Sequence, residues 1–157
     1  MYHLACELDI EYDVAQFTRW IRRAEETQNE MERIEKYQTA IALYRGDFFA
    51  ECYSDWCLEI RERLRREYLD ALLKLAQACE QRGDHDKAIG YYQLLIEKDR
   101  DREDVYRALM QLQYRIGDRT GAVKTYQQCA HVLREELNLP GPSRETLALY
   151  ERIVNEK

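Results

Sequence analysis

Leu72–Arg100 reads LLKLAQACEQRGDHDKAIGYYQLLIEKDR, and Tyr106–Arg134 reads YRALMQLQYRIGDRTGAVKTYQQCAHVLR. Laid over each other, the segments stand 34 residues apart, with Leu75 on Leu109, Gly83 on Gly117, Asp84 on Asp118, Ala88 on Ala122 and Tyr92 on Tyr126. The identities fall where a pair of helices needs them. Gly83 and Gly117 suit the left-handed residue that ends a helix. Asp84 and Asp118 are placed to accept from the free N–H groups of the helix that follows. Ala88 and Ala122 are small where two helices cross, and Tyr92 and Tyr126 fill space one turn later.

A period of 34 residues is that of the tetratricopeptide helix–turn–helix repeat. One feature departs from that pattern: Arg100 and Arg134 stand where the repeat usually ends in Pro. Two units do not make a stable stack, since about three are needed, so the flanks are predicted to complete it. Ala40 and Tyr44 repeat the Ala88–Tyr92 spacing, which makes residues 13–45 a degenerate third unit. A helix from Asp13 to about Gln28 presents Val14, Phe17, Trp20, Ile21 and Ala24. A second, near 31–45, presents Met31, Ile34, Tyr37, Ala40, Ile41 and Tyr44 at helical spacing. Gly46 stops it, and Phe48 and Phe49 are expected to plug the core. A long helix from Ser54 to Arg82 carries the stripe Trp56, Ile60, Leu64, Tyr68, Leu72, Leu75 and Cys79. Pairs Glu59–Arg63, Glu62–Arg66 and Asp70–Lys74 lie on its far side. Helices near 84–98, 102–116 and 119–137 follow. After Asn138-Leu139-Pro140-Gly141-Pro142, Ser143 caps a last helix with the stripe Leu147, Tyr150, Ile153 and Val154, expected to cover the end of the stack.

Residues 2–10 read differently. Tyr2, Leu4, Cys6, Leu8 and Ile10 alternate with His3, Ala5, Glu7 and Asp9, the period of a strand. The expectation is an all-α fold of about seven helices, a tetratricopeptide-like stack preceded by a short strand remnant.

The chain has 157 residues, two Pro and six Gly, and a formal charge of −6. That is one domain by size, able to bury roughly 70% of its unfolded surface. The acid excess, gathered in the first third, argues against bulk binding of nucleic acid or membrane while leaving room for a local basic patch. Cys79 and Cys129 fall on apolar helix faces and no C-x-x-C occurs among the five cysteines, so a reducing cytoplasm fits. Neither a signal peptide nor an apolar run near 18 residues is present.

Phosphate-loop, dinucleotide, H-E-x-x-H and G-x-S-x-G motifs are missing from the sequence, so no catalytic residue, cofactor or metal is expected. Asp84-His85-Asp86 reads as a helix start with acids favoured by the macrodipole. Two surfaces are candidates for binding. The first helices of the two repeats should line a groove with Leu73, Gln77 and Glu80 in one unit and Arg107, Gln111 and Tyr114 in the next. Arg61, Arg65 and Arg66 form, with Arg63, the densest basic cluster. It is suited to phosphate contact or, on the competing reading, to a solvated face laced by ion pairs.

Leu43-Tyr44-Arg45-Gly46-Asp47-Phe48, then Trp56 and Arg61 on a long helix, then the repeats, then Leu137-Asn138-Leu139-Pro140 before a helix with Leu149-Tyr150 and Ile153, resembles the bacterial transcriptional activator domain of SARP-type regulators. Asp13-Val14 and Phe17 resemble that family's opening. Members usually carry an OmpR-like winged-helix domain upstream, whose last strand ends G-Y-x-L; Tyr2-His3-Leu4 looks like that strand with Met1 for the glycine. The resemblance thus implies residues 1–12 as a remnant of a missing DNA-binding domain and residues 13–157 as the activator domain. It implies a module for regulation and oligomerisation that touches DNA only through the missing part and contacts RNA polymerase or other proteins. Two rival readings stand beside it: a free-standing tetratricopeptide adaptor for a partner peptide, and a sensor for a small ligand.

Overall fold

The computed structural model describes residues 2–46 and 54–156. Among the described residues seven α-helices run in order: α1 (Tyr2–Glu26), α2 (Glu30–Leu43), α3 (Asp55–Gln81), α4 (His85–Lys98), α5 (Glu103–Arg115), α6 (Arg119–His131) and α7 (Arg144–Asn155). A π-helical turn, Val132–Glu136, extends α6. No β-strand occurs among the described residues.

The strand expected at 2–10 is therefore corrected. Tyr2 to Glu26 is one helix, and Asp13 lies inside it instead of capping it. The reason is physical. A lone strand leaves its N–H and C=O groups without a ladder, whereas a helix satisfies them within the segment. Residues 2–26 contain neither Gly nor Pro, and Leu, Ala and Glu are strong helix formers. Phe48 and Phe49 lie outside the described residues.

The chain divides into two compact units, Met1–Ala78 and Cys79–Lys157. In the first, α1 packs on α2. Phe17, Ala24, Ile34, Tyr37, Ala40, Leu64 and Leu72 are buried there. Tyr44 stacks on Tyr68 with ring centroids 4.2 Å apart and meets Phe17 at 5.7 Å, which ties α1 and the end of α2 to α3. Asn29 begins α2, its Oδ1 accepting from the N–H groups of Met31 at 3.0 Å and Glu32 at 3.3 Å. The α3 stripe starts one position later than expected: Cys57 is buried and Trp56 is 57% exposed. Cys57 is also disulfide-bonded, which runs against the reducing environment expected from the thiols, while Cys79 and Cys129 are free and buried.

In the second unit α4 packs on α5, α5 on α6, and α7 on both α5 and α6. The two repeat turns are built alike. Gly83 N–H donates to Glu80 C=O at 3.0 Å and Asp84 N–H to Cys79 C=O at 2.9 Å. Gly117 N–H donates to Tyr114 C=O at 3.0 Å and Asp118 N–H to Gln113 C=O at 2.8 Å. Each is a helix stop closed by a left-handed glycine, with φ +80° at Gly83 and +88° at Gly117. Ala88, Tyr92, Ala122, Leu95 and Leu109 are buried, as the repeat register requires. The arginines in place of the repeat Pro both have work. Arg100 bonds Glu136 at 2.5 Å, joining the ends of the two repeats, and the Arg134 side chain lies against Gly141, where a Cβ would meet Nε at 2.7 Å.

Candidate interaction surfaces

The groove positions fall in both units. Leu73 is half-buried and Gln77 exposed in the first unit. In the second, Glu80 accepts from Tyr92 Oη at 2.7 Å and from Arg115 Nη2 at 2.6 Å. Burial and the Glu80 carboxylate together hold the Tyr92 hydroxyl well above the usual phenol range. Tyr114 Oη donates to Glu156. Gln111 is exposed on α5 between Arg107 and Tyr114. Of the four groove residues here, three bind other parts of the domain, leaving Gln111 as the outward-facing amide.

Arg107 belongs to a polar cluster that local patterns do not reveal. Ser143 begins α7, its Oγ accepting from Thr146 N–H at 3.4 Å. Across 40 residues of sequence, Glu103 Oε1 accepts from Ser143 N–H at 2.8 Å and Ser143 Oγ at 2.6 Å. It also accepts from Thr146 Oγ1, a side chain with 0% exposure. Arg107 Nη1 donates to Thr146 Oγ1 at 3.1 Å and lies 3.5 Å from Glu103, while Nη2 is 3.4 Å from Glu145. Burial raises the Glu103 carboxyl, but the Ser143 and Thr146 hydroxyls, the Ser143 N–H and Arg107 outweigh it, and the net shift is downward. At the other end of α7, Arg119 Nη2 donates to the Val154 carbonyl. An anion therefore faces the N-terminus of α7 and a cation its C-terminus, each matched to the helix dipole. The core between them is Met110, Ala122, Leu149 and Ile153, edged by Tyr114, Val123, Tyr126 and Tyr150. Tyr126 and Tyr150 stack at 4.0 Å.

The basic cluster lies along α3. Arg61 and Arg65 are half-buried and Arg66 is exposed. Arg66 Nε donates to the Glu62 carbonyl at 3.3 Å, and Arg63 is 3.8 Å from Glu67. Leu58, Glu59, Ile60, Glu62, Arg63 and Arg66 line a shallow hollow on this helix, so carboxylates share the surface with the arginines. Farther along, Lys74 bonds both Asp70 and Glu25 at 2.8 Å. Burial alone would lower its ammonium, but these two bonds prevail and raise it.

Among the described residues, no group of three or more His, Cys, Asp or Glu is placed to hold a metal ion, and no helix is long and apolar enough to cross a membrane. Helical pairs at the tetratricopeptide period, closed by a clamped terminal helix, define an all-α repeat domain. The model of the bacterial transcriptional activator domain matches residues 12–154, and the chain belongs to that family. Comparison with curated proteins gives no match.

Proposed function

We propose that this domain is the non-catalytic regulatory module of a bacterial transcriptional activator, acting in the cytoplasm through self-association and contact with RNA polymerase or another protein. DNA contact belongs to a separate winged-helix domain. The observation that carries the reading is membership of the family together with helical pairs at the tetratricopeptide period, units that repeat proteins use to build binding surfaces. The mechanism is positioning. By joining two regulators, the module would raise the effective concentration of one DNA-binding domain at a site beside the other. Chemistry and cofactors have no place in it.

The test is to fuse the chain to a monomeric DNA-binding domain and measure binding to single and tandem sites. Cooperative binding to tandem sites, missing from the unfused domain, is the expected result. Equal, independent occupancy by the fusion and the unfused domain would overturn the self-association reading.

A further inference from the structure

Helix α7 buries a different face from the one its apolar pattern suggests. Thr146, Leu149 and Ile153 point into the core, whereas Leu147 and Val154 each remain 41% exposed. These two are seven residues apart and Tyr150 lies between them, so Leu147, Tyr150 and Val154 form a second apolar seam along one side of the helix. A terminal helix of a repeat stack normally turns a polar face outward. This one is apolar along a seam beside the Tyr126–Tyr150 stack.

The residues flanking the seam specify what covers it. Arg144 and Glu151 are exposed, seven residues apart on the same side of the seam, and neither forms an ion pair among the described residues. In an antiparallel pair of identical helices, one register sets Leu147 against the partner's Tyr150 and Tyr150 against the partner's Leu147. That same register brings Arg144 opposite the partner's Glu151 and Glu151 opposite the partner's Arg144. Apolar layers and charges are satisfied together by a two-fold axis, as a self-complementary interface requires. A parallel arrangement would place like charges side by side.

We propose that the α7 seam pairs antiparallel with the same seam of a second copy of the chain through Leu147 and Tyr150, with Val154 at the edge of the contact and Arg144 and Glu151 fixing the register. The inference rests on the reading of the domain as a self-associating module and names the surface that does it. A contact built mainly on three helical turns is small, so the isolated domain forms a weak, reversible dimer.

Sedimentation equilibrium of the full chain, from micromolar to submillimolar concentration, tests this with two charge reversals. Arg144→Glu and Glu151→Arg each turn two attractive pairs repulsive and are expected to weaken the dimer by about tenfold or more. Mixing the two variants in equal amounts restores both pairs in the heterodimer and should recover wild-type association; that recovery also shows both variants are folded. A chain monomeric throughout, single variants that associate like the wild type, or a mixture that stays weak would each overturn the proposal. If the fusion assay shows cooperative binding that neither reversal alters, the α7 seam fails while self-association stands. If the mixture recovers but the fusion does not cooperate, the seam stands and the functional reading fails.

Discussion

The two repeat turns share one backbone and differ in how their side chains finish it. At Gly117-Asp118, the Asp118 carboxylate accepts from Gly121 N–H at 2.8 Å and closes the start of α6. At Gly83-Asp84, Asp84 makes no side-chain cap bond. The residue 34 positions before Gly121 is Lys87, and a Cβ on Gly121 would stand 2.1 Å from Asp118 Oδ2. The capping rotamer of Asp118 thus uses the space that a glycine leaves. Similar motifs need not perform similar work: the glycine stop is set by the backbone, but the aspartate cap depends on its neighbours.

The same contrast runs through the tyrosines. Tyr92 is buried and bonded to Glu80, whereas Tyr126 is half-buried and stacked on Tyr150. Tyr92→Ala should therefore cost about 3–5 kcal/mol and Tyr126→Ala about 2 kcal/mol, read from chemical denaturation. Equal costs would erase the distinction. Next, Gly83→Ala and Gly117→Ala should cost about 1–2 kcal/mol each, because both turns hold positive φ. Asp118→Ala should lose about 1 kcal/mol, while Asp84→Ala should stay within about 0.5 kcal/mol of wild type. A larger loss at Asp84 would show that its carboxylate caps after all.

The smallest expected effect is in acid. The Glu103 carboxyl is held below its ordinary value in the folded chain. Its contribution is present in full above the unfolded carboxylate value and is lost as pH falls through the lower, folded one. The gap in Tm between wild type and Glu103→Gln should narrow on acidification across that window. A gap independent of pH would show that the charge of Glu103 does not matter to α7.

The repeat was legible in the sequence because its identities recur at a fixed spacing and because glycine stops and buried alanines and tyrosines are local requirements. Three elements were not. Alternation at residues 2–10 satisfies a strand pattern, yet Leu4 with Leu8 and Cys6 with Ile10 also satisfy helical spacing, and backbone hydrogen bonding decides for the helix. In α7, Thr146 reads as polar and Leu147 as core. The reverse holds because Glu103 and Arg107, about 40 residues away in sequence, satisfy the threonine hydroxyl. The groove, read from register alone, named Glu80, Arg107 and Tyr114 without showing that each is bonded within the domain. Long-range polar partners leave no periodic trace.

The last helix is held from both ends by side chains of the preceding helices, Glu103 at its start and Arg119 at its end, in addition to the burial of Leu149 and Ile153. Residue-resolved hydrogen exchange of wild type and Glu103→Ala tests this hold directly. Amides in the first two turns of α7 should exchange faster in the variant, while those of α4 keep their protection. Unchanged exchange in α7, or equal acceleration in α4 and α7, would contradict the account.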